Sequence, residues 1–558
     1  MKNSKPVLLL SVIIFFIECS SLYSQVSQQW VTSFNGPNNG SDEPVAMTVD
    51  TSGNIYVTGV SPTITTGKDY VTIKYNPAGV QQWAARYNSS GQDDIVKGLA
   101  IDGSGNVFVT GSNSAGYLQT VKYNSSGIEQ WAKRLGVPTA SPAAPGSGKS
   151  PIVIDAAGNI YVGGARTFGS GQNSSYLLVK YNLNGDSVWT RTYKGSHFLA
   201  GLGSAIRCIK IDGNFIYVTG KSFDQNPDLS SSAFATTIKY DLSGNQLWLR
   251  KDTLINGSDD VIGMESDPSG NLIVTCNYGF DIVTYKYNSS GVRLWKKLYA
   301  GIGGNYYDNV TGIAVDPSGN IYLTGSSVRT TGSGGEDFLT LKYDPSGNLM
   351  WERFYNGTYG DGDYSKGISV DSAGNAYITG TAYDLNFDFN YMTIKYDTDG
   401  AQKWKISYDG GFTHRRDEPV AIALDLSGNV IVTGISSRGV STDDFTTVKY
   451  SQTTGVNQIS SQIPKGYSLS QNYPNPFNPV TKINYELRVT NYVSLKIYDI
   501  KGKEIETFIN RKQSAGSYEI IFDAGNLPSG VYFYKLVVSS SNQTAGEFSE
   551  TKKMSLIK

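Results

Sequence analysis

Histidine is almost absent. The 558 residues hold two, His197 and His414, far apart in the chain. A His-centred triad or a zinc centre needs imidazoles gathered with defined partners, and nothing here marks such a group. Cysteine is nearly as scarce, with Cys19, Cys208 and Cys276. Two of these lie beyond the leader, too few for a disulfide framework, so packing must supply the stability. Charge is low as well: Asp, Glu, Lys and Arg make up 17% and the formal net charge is -1. Without a basic field the chain has no means of holding phosphate, which argues against nucleic acid or an anionic membrane as partner. Long apolar runs are missing after residue 17, so no membrane-spanning segment is expected once the leader is removed. Gly-x-Ser-x-Gly, phosphate-loop and His-Glu-x-x-His motifs are also missing.

The one apolar run, residues 7–17, follows Lys2 and Lys5 and precedes a small Ser24. It is too short to cross a bilayer and reads as a secretory signal peptide over 1–24. Glu18 stands before Cys19, where a lipoprotein signal has a small residue, which argues against a lipid anchor.

What is plentiful is Gly (62) and Tyr (38), a composition for short strands and many turns. "DTSGNIYVTG" at 50–59 recurs as "DGSGNVFVTG" at 102–111 and "DAAGNIYVGG" at 155–164, and its Gly-Asn pair appears eight times, from Gly53-Asn54 to Gly428-Asn429. A Lys-Tyr pair follows in every unit, from Lys74-Tyr75 to Lys449-Tyr450. Each unit predicts four strands, here a to d, which in the first are 46–50, 54–59, 70–75 and 80–87. In strand c, Val71, Ile73 and Tyr75 alternate with Thr72 and Lys74, a period of two. Gly in the a–b and c–d turns supplies positive φ. Four-stranded units that cannot bury their faces alone must stack, which predicts an all-β propeller.

The eight tryptophans, Trp30, Trp83, Trp131, Trp189, Trp248, Trp295, Trp351 and Trp404, all occupy one position in strand d. Trp30 precedes the first strand a, and the last unit ends "TTVKYSQTTGVNQIS" without Trp. The N-terminal strand should therefore complete the last unit, giving an eight-bladed ring over 26–457, with a seven-bladed ring containing one irregular unit, or an open arrangement, as the alternatives. Each Trp should lie buried between neighbouring blades. These repeats resemble the bacterial β-propeller repeats called SBBP, a likeness that implies the fold and little about activity.

From Pro464 the pattern changes. Six or seven short strands over 464–558 predict a small Ig-like β-sandwich, after a polar linker at 458–463. "NYPNPFNP" (472–479), "LKIYDIKGKEI" (495–505), "LPSGVYFYKL" (527–536) and the terminal "KKMSLIK" (552–558) resemble the type A sorting domain of type IX secretion. That resemblance implies the secretion machinery as a partner through 464–558. It implies export through the periplasm of a Gram-negative-type bacterium to the medium or the outer-membrane surface.

Candidate sites lie on the face of variable b–c and d–a loops. Eight residues before each turn Asp stand Asp42, Asp94, Ser147, Ser204, Asp259, Asp308, Asp363 and Asp417. They either ring the channel mouth or accept hydrogen bonds within their own loops, and the serines favour the second reading. Asp384, Asn386 and Asp388 have the first spacings of a calcium loop, but Phe389 and Lys395 exclude an EF-hand; what is left is either a looser Ca2+ site or simple alternation at the start of strand c. Loop tyrosines at 306, 307, 355, 359, 364, 383 and 408 suit protein or glycan contacts. The reading is a secreted or cell-surface binding or scaffold propeller for a protein or glycan. The alternative is a carbohydrate-active hydrolase or lyase using loop carboxylates.

Overall fold

A computed structural model describes residues 26–558 apart from 38, 90–92, 114–116, 136–139, 142–150, 169–172, 197–203, 227, 229, 256–258, 302–306, 330–334, 359–361, 385–387, 412–415, 438–441, 453–455, 461, 525–526 and 540–547. The described residues form strands and turns with no helix. They divide into two compact units, one over Val26–Thr453 and one including Thr454–Asp523 and Ser529–Lys558.

The first unit consists of eight antiparallel sheets, each ordered a-b-c-d. Alternation in the sequence dictates them. In strand Gly67–Tyr75, Val71, Ile73 and Tyr75 are buried on one face and Thr72 on the other, so both faces meet a neighbouring sheet. The third sheet departs from the pattern. Its position a is filled by two short strands, Ala140–Ser141 and Ile152–Ile154, both paired with Ile160–Phe168. In the last sheet, Asp417–Leu424, Val430–Ser437 and Asp443–Gln452 are followed by Val26–Phe34, which pairs antiparallel with Asp443–Gln452 in the place of strand d. The register sets Trp30 opposite Lys449, as Trp83 sits opposite Lys74 in the first sheet.

Between successive sheets lie apolar clusters to which both contribute. One joins Ile321, Leu339 and Leu341 to Ile273 and Ile282 of the sheet before. Another joins Ile55, Val57, Val71 and Ile73 of the first sheet to Ile431 and Phe445 of the last. Each such fully buried side chain contributes about 1.5–3 kcal/mol relative to exposure.

The a–b turn shows why its letters repeat. Asp50 Oδ1 accepts the N–H groups of Ser52 (2.9 Å) and Asn54 (2.8 Å), and its Oδ2 accepts Asn54 Nδ2 (2.8 Å) and the Tyr56 hydroxyl (3.0 Å). Burial pushes the Asp50 carboxyl up, but these hydrogen bonds together hold it below its ordinary value. The same four bonds recur at Asp155 and Asp371.

The c–d turn explains the tryptophans. Gly79, at φ 79°, sits beneath the indole of Trp30, where an added Cβ would come within 2.6 Å of the ring. Gly127 stands in the same relation to Trp83, and Gly291 to Trp248. Trp30, Trp83, Trp131, Trp189, Trp248, Trp295 and Trp351 thus lean across onto the turn of the next sheet. Seven of the eight indole N–H groups donate to a carbonyl there, from Trp30 to Pro77 (3.1 Å) to Trp351 to Thr398 (3.0 Å). Burial is less uniform than the repeat predicts. Trp248, Trp351 and Trp404 are buried and the other five are half-buried, because strand d is the outer edge of its sheet.

The second unit holds two four-stranded sheets. One is ordered Val456–Ser460, Gly516–Asp523, Val480–Leu487, Ser468–Leu469; the other Glu504–Gln513, Asn491–Tyr498, Gly530–Ser539, Phe548–Leu556. Phe508 meets Phe522 edge-on across the two, with ring centroids 5.4 Å apart. The polar stretch expected as a linker at 458–463 begins inside a strand, since Val456–Ser460 pairs with Gly516–Asp523.

Candidate functional site

Seven of the eight positions before strand a are described; Ser147 lies outside the described residues. Asp42, Asp94, Ser204, Asp259, Asp308, Asp363 and Asp417 are all buried. Each carboxylate accepts an N–H from the loop that leads into its own sheet. Asp42 takes Gly36 (2.6 Å), Asp94 Ser89 (3.0 Å), Asp259 Ile255 (2.8 Å), Asp308 Gly301 (2.5 Å) and Asp417 Gly410 (2.7 Å), and Asp363 takes Gly357. Asp259 and Asp363 also accept from Gly279 and Tyr383, at 2.9 Å each. The backbone at this position reaches the preceding sheet: Asp308 N–H donates to Phe280 O and Asp42 N–H to Asp443 O, both at 2.7 Å. Burial pushes the carboxyls of Asp42, Asp94, Asp308 and Asp417 up, and that of Asp363 to about 6. Their recorded bonds tie loops and successive sheets together. Among the described residues no group of three or more His, Cys, Asp or Glu is placed to hold a metal.

Of the calcium candidate, Asn386 lies outside the described residues. Asp384 accepts the Asp388 N–H (3.1 Å) and Asn390 Nδ2 (3.2 Å), and Asp388 is buried. The loop tyrosines divide. Tyr355 packs on Phe338 and Tyr408 on Tyr391, at 5.5 and 5.3 Å between centroids. Tyr307 and Tyr364 are exposed, while Tyr306 and Tyr359 lie outside the described residues, as do both histidines. A cavity of about 440 Å³ is lined by strands a of four sheets, with Met47, Gly312, Ile313, Gly367, Ile368 and Ile422 among its walls.

Two features escaped the sequence reading. The lysine of each Lys-Tyr pair was a marker without a role. Lys239, Lys286 and Lys342 donate to Ser289, Pro345 and Thr398 O at 2.8–2.9 Å, the carbonyls that also receive Trp248, Trp295 and Trp351. Lys449 and Trp30 converge in the same way on Pro77 O, at 3.3 and 3.1 Å. The second is the aromatic-x-Gly written before many of the aspartates, as in Phe34-Asn35-Gly36 and Tyr355-Asn356-Gly357, which supplies the N–H that the carboxylate accepts.

In the second unit the proline-rich turn is bound to the last strand. Asn472 and Phe477 are buried, and Tyr473, Pro474, Asn475 and Pro476 between them are exposed. Gln471 Nε2 donates to Lys553 O (2.7 Å), Ser555 N–H to Asn475 Oδ1 (2.9 Å) and Phe477 N–H to Ser555 O (2.9 Å). The two ends of the signature read from sequence thus form one structure.

Comparison with known families agrees with both units. A beta-propeller repeat model matches residues 29–61, 82–114 and 295–327, each running from a strand d through strands a and b of the next sheet. A secretion system C-terminal sorting domain matches 471–547. The chain carries beta-propeller repeats and a C-terminal secretion sorting domain. The sorting domain marks the protein as secreted or associated with the outer membrane.

The chain is also 23% identical over 459 residues to an uncharacterized WD repeat-containing protein of Acanthamoeba polyphaga mimivirus. That match covers 70% of this chain, which spans 29% of the relative's length. Among solved structures, a fungal alcohol oxidase with copper is similar at 12% identity and TM-score 0.41, covering 96% of this chain and all of that one. The polysaccharide lyase Uly1 is similar at 10% and 0.40, covering 75% of this chain and 91% of its own. Drosophila Plexin A with Semaphorin 1b gives 10% and 0.38, covering 76% and 87%.

Proposed function

We propose that the protein is exported by type IX secretion and presents an eight-bladed propeller, closed by its N-terminal strand, as an extracellular binding or scaffold module for a protein or glycan. The sorting domain at 471–547 is the observation that carries the reading. Closure is supported by the pairing of Val26–Phe34 with Asp443–Gln452 and by Trp30 and Lys449 converging on Pro77 O of the first sheet. An Ig-like character for the second unit is supported by its two antiparallel sheets.

Binding on the loop face is supported by asymmetry. The a–b and c–d turns are short and uniform, and their Asp and Asn side chains are used within the turn. The b–c and d–a loops differ from sheet to sheet and expose Tyr307, and Tyr364 is exposed at the start of its strand a. A tyrosine ring there offers an apolar face and a hydroxyl at small entropic cost. Purified full-length protein, screened against a glycan array and a panel of extracellular proteins, should give saturable binding that Tyr307→Ala and Tyr364→Ala together weaken. Saturable binding that both substitutions leave unchanged would move the site off this face.

A further inference from the structure

We propose that the secretion machinery reads one composite surface on the sorting unit, formed by the exposed turn Tyr473–Pro476 and the outward side of strand Phe548–Leu556. The proposal rests on the sorting reading above and names the surface through which it acts.

The turn is held at both ends and empty of core residues between them. Asn472 is 2% exposed; its Nδ2 donates to Thr481 Oγ1 (2.9 Å) and Pro474 O (3.1 Å), and its N–H donates to the Tyr534 hydroxyl (2.7 Å). Phe477 is 2% exposed and its ring lies tilted against Phe522, with centroids 5.9 Å apart. Between them Tyr473 stands 79% exposed. Two prolines and these bonds fix the turn before any partner arrives, so little entropy remains to be lost on docking. A rigid, exposed tyrosine is the kind of residue that dominates a protein interface.

Five hydrogen bonds join this turn to the last strand. Gln471 Nε2 and Asn475 Nδ2 both donate to Lys553 O, at 2.7 and 3.3 Å. Ser555 N–H donates to Asn475 Oδ1 (2.9 Å), Phe477 N–H to Ser555 O (2.9 Å) and Ile557 N–H to Phe477 O (3.0 Å). The strand is two-sided, as alternation requires. Met554 and Leu556 face the core, while Lys553 and Ile557 are exposed. Lys553 makes no ion pair among the described residues. The surface is therefore apolar at Tyr473, Pro474, Pro476 and Ile557 and positive at Lys553. The partner it fits is a component of the secretion machinery with an apolar pocket for a phenol ring and an acidic rim. The family match begins at 471 and ends at 547, so it includes the turn and stops short of the strand, and it is the structure that joins them.

Trimming the last residues would not test this, because Met554 and Leu556 belong to the core. The test uses full-length protein with its leader in a host with type IX secretion, comparing Tyr473→Ala, Lys553→Glu and the control Val489→Ala. Val489 is also an exposed apolar residue, but in the turn between Val480–Leu487 and Asn491–Tyr498, at the other end of the strand that begins beside Tyr473. Export is read by cell fractionation and folding by thermal melting of purified protein. Tyr473→Ala and Lys553→Glu should each lower export by about tenfold with melting unchanged, as loss of an interface anchor does, and Val489→Ala should export normally. Normal export of both surface variants, while removal of 464–558 abolishes it, overturns the composite surface and leaves the sorting reading standing. Equal losses in all three variants overturn it too. Full export after removal of 464–558 defeats the sorting reading itself.

Discussion

Single residues hold this propeller at places where only one size or charge fits. Gly111 in strand b lies where an added Cβ would meet Ile95 O at 2.1 Å and the Tyr70 hydroxyl at 2.3 Å. The corresponding position in the fifth sheet is Cys276, and there the residue of the preceding strand c equivalent to Tyr70 is Ala235, in the same cluster. Gly111→Ala should cost about 1–3 kcal/mol by overpacking, and Cys276→Ala less, because that site already accepts a Cβ. Urea denaturation compares the two, and equal costs would contradict the packing argument. Trp351, 8% exposed, should cost about 3–5 kcal/mol on replacement by Ala, and half-buried Trp295 measurably less. Asp363 gives a pH dependence with a definite sign. Burial, with Asp337 adding to it, lifts its carboxyl from 3.8 to about 6. The fold then binds a proton between those values that the unfolded chain has released, so stability falls as pH rises through this window. Asp363→Asn cannot ionise and should flatten the stability curve from about pH 4 to 6; an unchanged slope would mean that the carboxyl titrates normally. The sequence located these aspartates by spacing alone. It could not show their partners, because the accepted N–H groups lie in loops whose lengths vary.

Strands and turns were the most legible level. Period-two alternation marks strand c, and Asp-x-x-Gly-Asn marks the a–b turn, because each is a local requirement repeated in every sheet. Val456–Ser460 was not legible. "VNQIS" is short and polar, and only its pairing with Gly516–Asp523 makes it a strand. The turn at 473–476 and the last strand were each recognisable, but the hydrogen bonds between them join residues far apart in sequence. The missing Trp of the last unit pointed to the N-terminal strand. Val26–Phe34 supplies that strand and sends Trp30 onto Gly79 of the first sheet. Deleting residues 26–34 should therefore remove one sheet edge and one inter-sheet contact together. The urea midpoint should fall far more than on trimming an unpaired tail. A midpoint unchanged by the deletion would show that the last sheet does not depend on this strand.

At the scale of the whole molecule, the two units carry different parts of the function. The sheets of 26–453 complete one another through clusters shared by successive sheets, and the first and last share one as well. The second unit has its own core, including Ile483, Leu495, Phe522 and Leu536. The sorting match at 471–547 lies in this unit and assigns export to it. The most direct measurement is cell fractionation of the full chain and of a chain ending at 463, in a host with type IX secretion. The account predicts that the full chain reaches the medium or the cell surface, while the shortened chain accumulates, folded and protease-resistant, in the periplasm. Equal amounts of both outside the outer membrane would contradict it.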